Sequence, residues 1–368
     1  MTGTSIDGDL DAALLAIEGE GLAMRATVVA TLSWPLGALA AELRAIATGA
    51  AFPAAEFTRV ARAFGEVHAD ALLALSSDAG VTPDLAVLHG QTVFHAPPRS
   101  WQLLDPWPVA VRLGCRVRFD LRGANLASGG EGAPITPLAD FVLFGDAREP
   151  RAIVNLGGFA NATLLPPRAG GVPAIRGFDA CACNHLLDAV ARIRLGTAFD
   201  ADGAAAHAGR ADEALVRAIS DAIAPPSAPG SARRSLGTGD EAVRLVERTS
   251  ALSAAGACRT IVEALADALA RTLRAEIGAT PCALLLAGGG ARNATLRAEI
   301  ARRWDGEVRT TEDSHGVGVS VRESACMAVL GALADDGVPY ALRAVTGTAS
   351  KVLDSALIEP MRSPRGPL

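Results

Sequence analysis

Ala152-Ile153-Val154-Asn155-Leu156-Gly157-Gly158-Phe159-Ala160-Asn161 is the stretch on which the reading of this 368-residue sequence turns. Ala152–Leu156 is a short apolar run that ends at a glycine pair, which predicts a buried strand whose end carries a loop. A second apolar segment follows the glycines. Near the other end of the sequence, Gly3-Thr4-Ser5-Ile6-Asp7-Gly8 likewise precedes an apolar segment. Two glycine-bearing turns in corresponding places predict a duplicated fold whose halves face one cleft.

The remaining sequence extends this pattern. Ala26–Leu32, Leu85–Leu88 and Ala283–Ala287 are further short apolar runs ending in glycine, polar or turn residues, and they too read as buried strands. Leu36–Ala47, Phe57–Leu75, Leu215–Ala224 and Thr260–Ile277 carry apolar residues three and four apart, the mark of amphipathic helices. Alternation of the two kinds predicts an α/β protein. Single cores stop growing near ~250–300 residues, so the length predicts two lobes. The polar, turn-prone Gly145–Arg151 is the expected boundary. It separates an N-terminal lobe over 1–150 from a C-terminal lobe over 151–368, with room for the last helices to pack back on the first lobe. Pro225–Gly239, rich in Pro, Ser and Gly, reads as a long loop.

Half of the residues are hydrophobic and 20% are charged, which excludes a disordered chain. A net charge of −6 opposes phosphate backbones, and 4% aromatics leave few stacking platforms, so no nucleic-acid partner is expected. No apolar run approaches the ~18–20 residues of a membrane span, and the first residues lack the basic and apolar parts of a signal peptide. The expectation is therefore a cytoplasmic protein with no membrane partner. Cys115, Cys181, Cys183, Cys258, Cys282 and Cys326 lack zinc-ligand spacing and read as reduced thiols. Lys351 is the single lysine, which removes a lysine-dependent phosphate loop or Schiff base.

Several segments combine glycines with chemistry-bearing side chains. In Gly3–Gly8, glycines would let a phosphate approach backbone N–H groups, beside the Thr4 and Ser5 hydroxyls and the Asp7 carboxylate, which can hold a Mg²⁺-bound water. An ordinary hairpin turn has the same composition, and the turn at Gly157, Gly158 and Asn161 carries the same ambiguity. Gly288-Gly289-Gly290-Ala291-Arg292-Asn293 follows a strand and leads into the helical Ala294–Arg302, where backbone could lie against a base or ribose. Its glycines are consecutive, so the dinucleotide fingerprint is not met and a nicotinamide dehydrogenase is the weaker reading.

On the polar-ligand side, His89-Gly90-Gln91-Thr92-Val93 stands at a strand end, where a polar cluster binds a ligand or a histidine settles into the core. Asp120-Leu121-Arg122-Gly123-Ala124-Asn125 runs into Gly129-Gly130-Glu131-Gly132-Ala133-Pro134. This collection of carboxylates, guanidinium and amide suits a sugar, with an Asp120–Arg122 ion pair as the structural alternative. Phe178-Asp179 and Asn184-His185 flank the close pair Cys181-Ala182-Cys183, and Glu323 opens an apolar helix, where a carboxylate ordinarily compensates the dipole.

In order, and across nearly the whole chain, these motifs resemble those of the anhydro-N-acetylmuramic acid kinase family, in the sugar kinase, actin and heat-shock ATPase superfamily. The resemblance implies two duplicated actin-like, ribonuclease H-like lobes closing on MgATP. It implies hydrolytic opening of the 1,6-anhydro ring of anhydro-N-acetylmuramic acid with phosphorylation of O6, in cell-wall recycling. ATP contacts then fall to Gly3, Thr4, Ser5, Asp7, Gly8, Gly157, Gly158, Asn161, Gly288, Gly289, Gly290 and Asn293, with Asp7 reaching Mg²⁺ through water. Substrate contacts fall to His89, Gln91, Thr92, Arg122, Asp179, Asn184 and Glu323. The assembly admits a homodimer. Where the family pattern has an aspartate base this chain has Asn125, and the following glutamine is Glu131, so Glu131, then Asp120, becomes the expected replacement base. The family's Asp-Thr-Gly-Pro-Gly-Asn loop survives only at Asp179 and Asn184. The family also places a strand before the first turn, where this sequence begins; a mis-assigned start codon would explain that departure. A kinase for another anhydrosugar, and a nucleotide- or sugar-binding paralogue without turnover, are the alternative readings.

Overall fold

The computed structural model describes residues 1–2, 8–224, 240–278, 280, 282–348, 350 and 352–360. Gly3–Asp7 and Pro225–Gly239 therefore lie outside the described residues. In chain order the strands are β1 (Asp9–Glu18), β2 (Arg25–Pro35), β3 (Leu85–Val87), β4 (Gln91–Ala96), β5 (Arg99–Leu103), β6 (Arg116–Phe119), β7 (Arg151–Leu156), β8 (Phe159–Leu165), β9 (Arg176–Ala182), β10 (Ala283–Ala287), β11 (Val308–Thr310) and β12 (Ala356–Ile358). The chain forms two compact units, one of residues 1–143 with 323–368 and one of residues 144–322. The first unit thus takes back the last segment of the chain.

In the second unit the sheet order is β11-β10-β7-β8-β9. β7, β8 and β9 form an antiparallel meander, while β10 runs parallel to β7 and β11 parallel to β10. This is the ribonuclease H-like order, with β7 at its centre. The continuous apolar run Ala152–Leu156 is what a central strand covered on both faces requires. Helix Ala254–Ile277 starts where the Ser253 hydroxyl accepts the Gly256 N–H at 3.1 Å, and it buries Cys258, Ile261, Leu265 and Leu269 in the core that includes Val154 and Leu286. Helix Glu213–Ile223 begins at Asp212, whose carboxylate accepts from Leu215 N at 2.9 Å.

In the first unit β1 and β2 form an antiparallel hairpin, β4 and β5 another, and β3 pairs parallel with β6, which β12 joins antiparallel. Between β1 and β3 lies a cavity of about 560 Å³. Helix Ala54–Ala79 buries Val60, Phe64 and Leu75 and ends at Gly80, whose φ of 64° only glycine adopts freely. It outruns the expected Phe57–Leu75 because its end turns, rich in Glu, Ser and Asp, carry no apolar period. Ala26–Leu32 falls inside β2, but that strand alternates between half-buried and exposed along its length. Its run of small apolar residues hides a period of two. The last segment is held to this unit by β12 and by Tyr340, whose buried hydroxyl lies 2.7 Å from Asp354 O and 3.2 Å from Leu121 O. Among the described residues no helix is long and apolar enough to cross a membrane.

Candidate active site

β3 hands the chain through Leu88 to His89 and Gly90 before β4 begins. Gly90 is required there, since a Cβ would come within 2.9 Å of the Gln102 and Leu103 backbone. His89 is buried, and Arg122 Nε donates to its Nε2 at 3.0 Å. A guanidinium can only donate, so Nε2 is the acceptor and Nδ1 carries the proton. That Nδ1 is buried and, among the described residues, has no hydrogen-bond partner. Burial, and then the charge of Arg122, hold the His89 pKa well below its ordinary value, so the ring is neutral. Arg122 is itself pulled down to about 10 by burial, against the opposing pull of Glu323. The unit thus presents a buried, unsatisfied N–H beside a half-buried cation, a pairing that suits the hydroxyl or carboxylate oxygens of a polar ligand.

Asp120 does not pair with Arg122. Arg122 instead reaches His89 and the Gly132 carbonyl, at 3.3 Å. Asp120, at a φ of 52°, turns its carboxylate back to accept the Gly123 N–H at 3.0 Å. Gln91 is buried and accepts the Thr2 hydroxyl, while Thr92 Oγ1 accepts from Gln102 at 3.4 Å.

Asn125 has a structural position. Its buried amide donates to Thr346 Oγ1 at 3.1 Å and to Thr348 O at 2.9 Å, and its Oδ1 accepts the Gly132 N–H at 2.8 Å. The two donated bonds tie Asn125 to the last segment of the chain, and the accepted one ties it to the glycine turn, so both amide protons are spent on structure. Glu131, on the same turn, is exposed, and its N–H is tied to Thr346 O at 2.9 Å. The contribution of Thr346 and Thr348 had no signal in the sequence, because they lie some 220 residues from the turn they hold.

The second unit gathers three of the predicted segments. The N–H groups of Cys183 and Asn184, where helix Asn184–Arg194 begins, donate to Gly158 O at 3.0 Å and Gly157 O at 2.9 Å. Asn184 Nδ2 donates to Leu156 O at 3.1 Å. Against this frame lies the glycine triplet. A Cβ at Gly288, whose φ is 82°, would stand 2.7 Å from Asn155 Oδ1, and one at Gly290 would stand 2.7 Å from Asn184 Oδ1. Gly289 is exposed, and a Cβ there would meet only Asn184 Nδ2 at 3.5 Å. The triplet therefore packs two glycines inward and shows bare backbone outward.

Asn155, Asn161 and Asp179 are register partners across β7, β8 and β9, so they form a polar row on one end of the sheet. Burial raises the Asp179 pKa above its ordinary value. Asn293 is committed elsewhere: its side chain caps helix Ala294–Arg303, accepting Leu296 N at 2.9 Å. His185 was not singled out by sequence, although it follows Asn184 directly. Its ring stacks edge-on with Phe159 at 5.1 Å and leaves no room for a side chain at Gly158, where a Cβ would be 2.5 Å from Nε2. All six cysteines are buried and none forms a disulfide.

Strand order and glycine turns place the chain among α/β proteins with ribonuclease H-like lobes. A family model described as anhydro-N-acetylmuramic acid kinase matches residues 1–359. A protein of that name from Synechococcus sp. (strain CC9605) is 36% identical over 379 residues, with 98% of each chain covered. Another, from Gloeobacter violaceus, is 35% identical over 364 residues, covering 96% of this chain and 95% of its own. Among solved structures, the ADPNP-bound activator of a 2-hydroxyisocaproyl-CoA dehydratase from Clostridium difficile is similar at a TM-score of 0.40 and 14% identity, covering 88% of this chain and 96% of its own. The chain belongs to the anhydro-N-acetylmuramic acid kinase family and is, with it, a sugar kinase.

Proposed function

We propose that this protein opens the 1,6-anhydro ring of anhydro-N-acetylmuramic acid with water while transferring the γ-phosphoryl group of ATP to O6. Water adds to C1, the C1–O6 bond breaks, O6 takes the phosphoryl group and ADP leaves. The water's proton goes to a carboxylate. The observation that carries the nucleotide half is the Gly288–Gly290 triplet, whose inward glycines fit no side chain and whose outward backbone is bare. His89 Nδ1–H and Arg122 offer donors to the sugar's oxygens. Asp179 is the carboxylate best suited to take the proton, because burial raises its affinity toward the range a base needs. ATP enters as its Mg²⁺ complex; Asp7, the expected water-mediated contact, lies outside the described residues. Such a reaction belongs to cell-wall sugar recycling in the cytoplasm.

The test is turnover in ¹⁸O-labelled water with ATP and anhydro-N-acetylmuramic acid, following ADP and the mass of the product. A phosphorylated sugar carrying one ¹⁸O at C1 is expected. Asp179→Asn should lose at least about a hundredfold in kcat, the low end of a base's contribution, while ATP still raises Tm. Gly289→Val should fold normally and lose that ATP-dependent rise. ADP release that ignores the sugar would refute the proposed substrate, and an Asp179→Asn enzyme of full rate would place the base elsewhere.

A further inference from the structure

The hairpin of β4 and β5 has two unlike faces. Val93 and Leu103 belong to the core of the first unit, and by the period of two Trp101 shares the Leu103 face, its ring 5.2 Å from that of Phe57. Gln102 and Ser100 therefore stand on the other face, where Thr92 and His95 are their register partners. That face is polar along its length.

The polar face borders the cluster at His89. Gly90 lays the turn that carries His89 flat against the Gln102 and Leu103 backbone, and helix Gly123–Ala127, which begins directly after Arg122, packs on β5. Desolvation and then the charge of Arg122 lower the His95 pKa, against the pull of Glu131, so the ring is neutral at pH 7. A neutral imidazole carries its proton on one nitrogen and a lone pair on the other.

The hydrogen bonds decide which nitrogen is which. Ser100 Oγ lies 2.9 Å from His95 Nδ1, 2.7 Å from Gln102 Nε2 and 3.2 Å from Phe94 O. A hydroxyl has one proton to give and two lone pairs to offer. Phe94 O can only accept and the Gln102 amide nitrogen can only donate, so Ser100 gives its proton to Phe94 O and one lone pair to Gln102. Its remaining lone pair takes the proton of His95 Nδ1. His95 Nε2 is thus a bare lone pair. The second Gln102 amide proton goes to Thr92 Oγ1 at 3.4 Å, and among the described residues the Thr92 hydroxyl proton has no acceptor.

One row therefore offers an acceptor, His95 Nε2, and a donor, the Thr92 hydroxyl, joined through Ser100 and Gln102. The neighbouring His89 Nδ1–H and Arg122 only donate. A hydroxyl, which gives one proton and accepts another, is the sugar group that uses both members of the row. An amide N–H cannot use Thr92, and a carboxylate cannot use His95. In anhydro-N-acetylmuramic acid the anhydro bridge occupies C1 and O6, the acetamido group C2 and the lactyl ether O3, so O4–H is the one free hydroxyl. We propose that His95 is a specificity-determining residue whose Nε2 accepts O4–H of the sugar while the Thr92 hydroxyl donates to O4, with Ser100 as the positioning residue that keeps the His95 proton on Nδ1. The inference rests on the proposed sugar substrate and adds to it which hydroxyl is read and by which atoms.

The test titrates anhydro-N-acetylmuramic acid and its 4-deoxy analogue calorimetrically into the full chain without nucleotide. Loss of the hydroxyl should weaken binding to the wild type about tenfold, and His95→Leu should bind the parent sugar about tenfold more weakly and barely distinguish the two. Equal discrimination by the wild type and His95→Leu would overturn the contact to O4. A wild type that binds neither sugar would refute the substrate itself. Ring ¹⁵N spectra of the sugar-free chain should show His95 protonated at Nδ1. Ser100→Ala should admit the Nε2–H form, and Ser100→Thr should restore Nδ1–H. A wild-type ring protonated at Nε2 would overturn the assignment of acceptor and donor, whichever sugar is bound.

Discussion

In the second unit β7 is held from both sides, and Ile153 and Val154 are at most 1% exposed. In the first unit β1 borders a cavity, and Leu14 and Leu15 of β1 are only half-buried although the strand is as apolar. The contrast teaches that a strand's burial comes from its neighbours and not from its own composition. It extends to chemistry. The second unit shows bare backbone, through glycines that exclude side chains, whereas the first offers the Arg122 charge, which persists against burial, and an N–H on a histidine that burial keeps neutral.

The largest effect that would break this comparison is in the core. Ile153→Ala should cost about 2–5 kcal/mol in denaturant unfolding, the range for a fully buried aliphatic side chain. Leu15→Ala, beside an open cavity, should cost about 1 kcal/mol or less. Equal losses would mean that β1 is as well covered as β7.

Next in size is a pair of asparagines, one in each unit. Asn125 donates twice and accepts once, so Asn125→Asp strands Thr348 O against a carboxylate and should cost about 1–3 kcal/mol. Asn293 only accepts, as a helix cap, and Asn293→Asp should be near neutral because aspartate caps equally well. Thermal unfolding of the two variants checks both. A stabilised, more active Asn125→Asp enzyme would return that position to the chemistry.

A further effect is in pH. Burial holds His68 at about 3 and His89 well below its ordinary value, so both are neutral in the folded first unit. Unfolded, each takes a proton below about 6.5, so stability is full above that pH and falls as pH drops toward the folded values. Each histidine steepens the loss by up to about 1.4 kcal/mol per pH unit. Amide exchange at pH 7 and pH 5 should show the first unit loosening before the second, and His68→Leu should flatten its slope. Units that loosen together would remove this difference.

Much of this was legible in the residues. The strand Ala152–Leu156, its glycine pair and the triplet Gly288–Gly290 declare themselves because an apolar run ending in glycine has few other uses, and the structure brings them together around Asn184. His89 and Arg122 were legible as a polar pair of residues but not as a bonded one. The structural partners of Asn125, Asn293 and Asp120 were not legible for a common reason: amide and carboxylate side chains serve turns and caps as readily as ligands, and only the partner tells which.

Local sequence therefore determined the kinds of element, their order and the family motifs, since these depend on periodicity and on what glycine permits within a few residues. Tertiary structure alone decided which polar groups are spent and which are left over. Asn125 is spent on Thr346 and Thr348, and His89 Nδ1 is left over beside Arg122. It also decided that β1 and β3 face a cavity while β7 is held from both sides. The physical reason is that hydrogen-bond satisfaction and burial are set by residues distant in the chain, and a lone segment carries no record of its partners.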